Sequence, residues 1–279
     1  MSTTEQVQDR EFDFSVRDFE RVRALIYQRA GIDLHAGKQA MVYSRLSRRL
    51  RECQHTSFDA YLKWLENATG TAAEQEWQEF INCLTTNLTA FFREEHHFTA
   101  LAQQLKNHPA GKPLRIWCCA SSTGEEPYSL AMVVAETFGF HANVKILATD
   151  IDTKVLATAS RGVYEGEPKG LSPTRLRMFF QKGKGVNEGK VRVKPELARM
   201  VEFKPFNLMQ AQWSLGESFD FVFCRNVMIY FNPATQRKVL EQIHKVMRPN
   251  GWLFVGHSEN FTESRDLFRL KGKTIYDRV

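Results

Sequence analysis

A chain of 279 residues, 43% hydrophobic and 25% charged, is long enough to bury one large core or two modest ones, and its composition is that of an ordinary globular protein. The formal charge of +6 is modest, no apolar run approaches the roughly 20 residues of a membrane span, and the opening MSTTEQVQDREF lacks the basic-then-apolar pattern of a secretion signal, so a cytoplasmic protein is expected. The five cysteines (Cys53, Cys83, Cys118, Cys119 and Cys224) include no C-x-x-C pair and are expected to be reduced core residues, not metal ligands or disulfides.

The first part of the chain carries helix signals. Ser15 with Asp18 three residues on is a capping box, Val16, Phe19, Val22 and Ile26 recur at helical spacing, and Gly31 is a stop. Residues 36–51 hold Lys38, Arg45, Arg48, Arg49 and Arg51 without an acid. With Val42, Leu46, Leu50 and Cys53 on one stripe, this segment is predicted to be an amphipathic helix whose opposite face presents unpaired cations to an acidic partner. Phe58 to Glu66 and Glu74 to Leu84 are further helices, giving a helical domain over residues 1–84 and a linker with a leading helix over 85–110.

From residue 111 the pattern becomes strand, turn, helix, strand, helix, which marks a parallel sheet with crossover connections. Leu114 to Ala120 is an apolar run of strand length, and Pro127 suits a first helical position. Between them the small residues Ala120 to Gly124 let the backbone approach a ligand closely, and the helix start offers unpaired N–H groups. A second strand, VKILAT, ends at Asp150, about 26 residues past Gly124, where a carboxylate is placed to hold ribose hydroxyls. Glu125 and Glu126 in the turn would repel a pyrophosphate. They favour a cationic ligand, and S-adenosylmethionine, with a ribose, an ammonium and a sulfonium but no phosphate, fits. The plainer alternative is that the two acids only complement the helix dipole, at ~0.3 to 1 kcal/mol each.

Apolar runs at Phe219 to Cys224 and Trp252 to Val255, with a helix from about Ala234 to Met247 between them, continue the sheet, and the segments flanking Gly272 predict a closing hairpin. Between Ser160 and Val201 lie about 40 residues that a minimal α/β unit does not need. The helix start at Ser172 and Pro173, the glycine-rich QKGKGVNEGK and the alternating KVRVK and RMVEFK predict an inserted small β-element at about 172–204.

Strings in the order TTNLTAFFRE (85–94), CASSTGEEPYS (119–129), LATDID (147–152), FNL (206–208) and FCRNVMIYFN (223–232) resemble the chemotaxis receptor methyltransferases of the CheR family. The resemblance implies an α/β fold: a Rossmann-like S-adenosylmethionine-dependent methyltransferase domain over 111–279 with an inserted small β-subdomain, preceded by an all-α N-terminal domain. It implies methyl transfer to glutamate carboxylates on the cytoplasmic helices of chemoreceptors, giving glutamyl methyl esters and S-adenosylhomocysteine in chemotaxis adaptation.

Carried over motif by motif, Glu125 would bind the ligand's ammonium group and Asp150 its ribose hydroxyls. Asn207 and Leu208 would border the adenine, Arg225 and Asn226 would continue that wall, and Asn87, Thr89 and Arg93 would reach over the cofactor. Plainer alternatives are a turn residue for Asn207, a strand-end cation for Arg225 and caps for Asn87 and Thr89. A glutamate acceptor is ionised near neutrality and needs no general base. Its charge cancels that of the sulfonium toward the transition state, so strong fixed charges on it would favour the reactants. Arg93 and Tyr230 are therefore assigned to positioning the acceptor, with proximity and exclusion of water carrying the rate; Tyr230 has the alternative of a buried strand-end aromatic.

The receptor-facing candidates are Lys38, Arg45, Arg48, Arg49 and Arg51, together with Arg192 and Lys194 in the insert, whose strand edges can take a receptor's C-terminal tail as an added strand. A monomer recruited to membrane-bound receptors is expected, without nucleic-acid binding or membrane insertion. No metal is expected, because Glu94, Glu95, His96 and His97 lack H-E-x-x-H spacing and neighbours on a helix point apart. A nucleic-acid methyltransferase is disfavoured by RNVMIYFN, which lacks an N-P-P-Y type motif. A nicotinamide oxidoreductase is disfavoured by the acidic turn, and a non-catalytic receptor-binding sensor by the intact acidic and arginine positions.

Overall fold

The computed structural model describes residues 10–109 and 111–279. Residues 1–9, part of the segment that argued against a secretion signal, and Ala110, where the expected linker ends, lie outside them. The chain divides into two compact units, one ending at Thr85 and one running from Thr86 to Val279.

The first unit is all helical, with α1 at Val16–Ala30, α2 at Gln39–Glu52, α3 at Phe58–Asn67 and α4 at Thr71–Leu84. Both arms of the Ser15–Asp18 capping box are made, and Gly31 closes α1 in the left-handed region that glycine tolerates. Val22, Ile26, Val42, Leu46, Leu50, Tyr61, Leu62 and Phe80 are fully buried and form the core.

The cationic face expected on α2 is corrected. Arg49 is largely buried and pairs with the buried Glu76 of α4 (Nε to Oε1, 3.0 Å), which also accepts from the Tyr61 hydroxyl at 2.8 Å. Arg45 donates to the carbonyl oxygens of Cys83 and Thr85 at 3.1 and 2.6 Å. Arg48 pairs with Glu52 at 3.0 Å and Arg51 with Glu11 at 2.7 Å. The reason is angular: Arg45 and Arg49 stand three residues beyond Val42 and Leu46, so at 100° per residue they flank the apolar stripe and do not oppose it. The acids that serve Arg48, Arg49 and Arg51 lie outside the 36–51 window. Lys38, Arg48 and Arg51 remain exposed.

The second unit opens with α5 at His96–Lys106, followed by β1 (Leu114–Cys118), α6 (Glu125–Phe138), β2 (Val144–Asp150) and α7 (Thr153–Arg161). Next come β3 (Val163–Glu165), α8 (Pro173–Phe179), β4 (Phe180–Lys182), β5 (Lys190–Val193), α9 (Pro195–Ala198) and β6 (Val201–Pro205). The chain closes with β7 (Phe219–Cys224), α10 (Pro233–Val246), β8 (Met247–Val255), β9 (Phe268–Gly272) and β10 (Ile275–Arg278). The main sheet has the order β6-β2-β1-β7-β8-β10-β9, parallel from β6 to β8, with the hairpin strand β10 antiparallel to β8. The order reverses at β1, which lies between β2 and β7, so the carboxyl end of β1 faces the crevice where open α/β sheets take their ligands. Ile116, Trp117 and Cys118 are fully buried and α6 packs Leu130, Ala131, Met132 and Val134 into the core, as a strand covered on both faces requires.

The small antiparallel sheet has the order β3-β5-β4. It contains KVRV, as expected, but not the second alternating run. Val201 to Pro205 instead pairs in parallel with Ile146 to Asp150, as the edge strand of the main sheet. The small sheet thus starts at Val163 and ends at Val193, against the 172–204 of the sequence reading. Alternation reports that one face of a strand is wet, which is true of an edge strand in either sheet. The closing hairpin forms, with Lys273 and Thr274 supplying the left-handed turn (φ 47° and 62°).

Candidate active site

At the carboxyl end of β1 the chain turns through 119–124 into α6. Gly124 has φ 100°, and a Cβ there would lie 2.9 Å from Tyr164 Oη and 3.0 Å from the Ala159 methyl, so the position is closed to other residues. Ser122, also left-handed at φ 47°, aims its N–H at Asp150 Oδ2 (2.8 Å), while the Asp152 N–H reaches Oδ1 (2.9 Å). Asp150 is buried at the end of β2. Burial raises its carboxyl to about 6, with the amides of Asp152 and Ser122 pulling the other way. The Ile151 amide reaches the carboxylate as well, and with about four acceptor sites against three amides Asp150 keeps capacity for a ribose hydroxyl.

Asn87 is tied to the same place. Its Nδ2 donates to Asp152 Oδ2 at 2.9 Å and its carbonyl accepts from Ser122 Oγ at 3.2 Å. Glu125 opens α6; burial raises its carboxyl above the usual range, opposed by Thr123 Oγ1, which donates to it at 2.7 Å. A single ammonium group would relieve that buried charge. Asn207 accepts the Met209 N–H at 2.9 Å in an Asx turn two residues past β6, and Leu208 is buried in the cluster that contains Trp117 and Cys119. Thr89 is half-exposed.

Arg225, directly after β7, is turned inward. Its side chain is 1% exposed and its guanidinium meets the Glu126 carboxylate, Glu94 Oε2 at 3.4 Å and the carbonyl oxygen of Arg93, over the Phe98 ring. Any contact from this residue to a cofactor is thereby left to its backbone. Asn226, left-handed at φ 57°, donates from Nδ2 to Glu94 Oε1 at 3.3 Å, and its N–H goes to Glu259 Oε2 at 3.0 Å. Glu259, which the sequence reading missed, also accepts from the Gly256 and Met228 amides. No spacing rule in GHSEN announces it. Burial opposes charge on Glu94, but Arg225, Asn226 and His257 outweigh it and hold that carboxyl below its usual value.

Arg93 is half-exposed and donates to the Leu88 carbonyl at 2.9 Å. Tyr230 ends a 3-10 turn, half-exposed, with its hydroxyl 3.5 Å from the Thr86 carbonyl. Arg192 is exposed at the middle of β5. Lys194 donates to the carbonyls of Arg177 and Met178 at 3.2 and 2.6 Å, so its ammonium caps α8.

The expectation that His96 and His97 point apart is corrected. Both Nε2 atoms approach the Lys273 carbonyl (3.1 and 3.2 Å), and with Glu94 they bring possible ligand atoms within 4.8 Å of one another. The Arg225 guanidinium on Glu94 opposes a metal cation there. Burial, then Arg225, lowers His97 to about 3, so it is neutral at working pH.

Two family profiles match the chain: one described as "CheR methyltransferase, all-alpha domain" over residues 17–85, and one described as "CheR methyltransferase, SAM binding domain" over residues 87–276. The chain is 49% identical over 260 residues to a chemotaxis protein methyltransferase of Escherichia coli K12, covering 92% of this chain and 89% of that one. It is 48% identical over 274 residues to chemotaxis protein methyltransferase 2 of Pseudomonas aeruginosa PAO1, covering 96% and 95%. Among solved structures, PKMT2 from Rickettsia typhi in complex with AdoHcy aligns at a TM-score of 0.37 and 16% identity, over 61% of this chain and 26% of that one.

Proposed function

The chain belongs to the CheR family of chemotaxis methyltransferases, and from that premise we propose that it methylates glutamate side chains on the cytoplasmic helices of chemoreceptors, forming glutamyl methyl esters in chemotaxis adaptation. The observation that carries the cofactor half of this reading is the buried Asp150 carboxylate at the switch point, clamped by Ser122 and Asp152 amides with acceptor capacity to spare. It fits the ribose of S-adenosylmethionine, and the raised carboxyl of Glu125 fits its ammonium group. Asn87, Thr89, Asn207, Leu208 and the backbone of Arg225 and Asn226 would complete the enclosure.

When bound, the cofactor supplies a methyl group on a sulfonium, which an ionised carboxylate accepts without a base. The chain's own task is then to bind, align and exclude water. Arg93 and Tyr230, both half-exposed on the Thr86 to Arg93 side of the site, are assigned to steering the acceptor.

Receptor contact falls to Lys38, just before α2, and to Arg48 and Arg51 on its outer face, because Arg45 and Arg49 are engaged inside the helical unit. The small sheet offers a second contact. The outer edge of β4 is flanked by Lys182 and Lys184, whereas β3 carries Glu165, so an acidic receptor tail is matched to β4, with Arg192 nearby in place of Lys194. The enzyme acts as a cytoplasmic monomer brought to membrane-bound receptors. Incubation with labelled S-adenosylmethionine, receptor-containing membranes and, in parallel, nucleic acid tests the reading. Base-labile label on receptor alone supports it, and label on nucleic acid overturns it.

A further inference from the structure

Arg93 lies between two non-glycine residues in the left-handed region, Phe92 at φ 53° and Glu94 at φ 58°, a conformation that side-chain-bearing residues rarely adopt. Such a turn persists only where its surroundings fix it. The Phe92 N–H donates to Ser129 Oγ on α6 at 3.0 Å, the Arg93 carbonyl accepts from Arg225, and Glu94 Oε1 accepts from Asn226 Nδ2 and faces His257 Nδ1, both at 3.3 Å. Arg225 is itself anchored: one arm of its fork, Nη1, lies on Glu126 in the first turn of α6, and the other, Nη2, on the Arg93 carbonyl and Glu94.

We infer that Arg225, with Glu94 and Glu126 as its jaws, is a positioning residue that fixes the Phe92–Glu94 turn and through it aims the Arg93 side chain at the acceptor. A buried ion pair is poor value for stability alone, since well-packed apolar residues often do as well. What this one provides is geometry: only a planar fork reaches the α6 carboxylate and the Arg93 carbonyl at once, which a lysine ammonium cannot do. Nη1 and Nη2 hydrogen-bond Glu126 and the Arg93 carbonyl, while Glu94 Oε2 faces Nη2 at 3.4 Å as a charge contact; neither that oxygen nor Arg225 Nε has a hydrogen-bond partner among the described residues. The inference rests on the proposed role of Arg93.

The test is a double-mutant cycle of Arg225→Lys and Arg93→Ala, reading kcat and KM with receptor, calorimetric affinity for S-adenosylhomocysteine, and melting temperature. Arg225→Lys should lower kcat about tenfold, leave S-adenosylhomocysteine affinity within about twofold, and change kcat by less than about twofold once Arg93 is already alanine. If Arg225→Lys does not fold, Glu94→Gln, which keeps the shape but weakens one jaw, takes its place in the same cycle. A full effect in the Arg93→Ala background, or loss of affinity in step with kcat, overturns the clamp while leaving the role of Arg93 intact. Wild-type turnover by Arg93→Ala overturns both.

Discussion

Replacing Asp150 by asparagine tests the cofactor site at near-constant volume. Asp150 accepts from the Ser122 and Asp152 amides, one on each oxygen. An asparagine NH2 must therefore oppose one of those N–H donors whichever way it is turned. The carboxylate's bonds to ribose hydroxyls are charge-assisted, worth ~1.5 to 3 kcal/mol in all, so calorimetric affinity for S-adenosylhomocysteine should fall roughly 10- to 150-fold. The same carboxyl gives a pH dependence with a definite sign. Its value in the folded protein is raised from 3.8 to about 6, so its contribution to stability is greatest below about 4 and is lost as pH rises through 6. Ligand binding runs the opposite way, because the ionised form binds the diol better. Between pH 7 and 5 the affinity of the unmodified protein should therefore drop, and that of a folded Asp150→Asn variant should not follow it. Undiminished affinity in the variant would remove Asp150 from the site.

Other consequences are as direct. Gly124→Ala places a methyl against Tyr164 and Ala159 at a positive φ, and should cost about 1 to 3 kcal/mol by denaturant titration along with S-adenosylhomocysteine binding; a stable, binding variant would refute the close packing. Arg49→Ala strands the buried Glu76 and should destabilise the protein by ~3 to 5 kcal/mol, whereas Arg48→Ala, at an exposed helix pair, should change stability by under ~0.5 kcal/mol. Arg48→Glu should instead reduce receptor methylation at low salt with cofactor affinity intact; unaffected methylation would return α2 to plain surface. Gln181 pairs inward with Arg192 on β5, which turns the Lys182 N–H to the outer edge of β4, so Lys182→Pro should abolish binding of an acidic receptor-tail peptide while sparing S-adenosylhomocysteine. Undiminished peptide binding would move the tail elsewhere.

The parts of the fold and site that were legible in the sequence are those that local chemistry dictates. The small-residue turn before Pro127 and the carboxylate ending VKILAT required only strand and helix periods plus the special backbone freedom of Gly124. What remained hidden depends on partners far away in sequence. Periodicity says that Val201 to Lys204 has one wet face, but not which sheet it joins. The charge run on α2 reads as unpaired because Glu76 and Glu11 lie outside it. The Arg225 side chain at a strand end reads as a cofactor contact until Glu94 and Glu126, more than 90 residues away, are seen to enclose it and leave only its backbone for that role. Likewise Glu259, gathering the amides of Gly256, Asn226 and Met228, exists as a feature only once β7 and β8 are side by side.

The most direct measurement is peptide-level mapping of methyl groups on receptor incubated with the purified protein and S-adenosylmethionine. Methyl groups are expected on glutamate side chains of the cytoplasmic helices, removed by mild base and strongly reduced with Asp150→Asn at limiting S-adenosylmethionine. Base-stable methylation at another residue type, or none on receptor while S-adenosylhomocysteine still binds, would contradict receptor glutamate methylation.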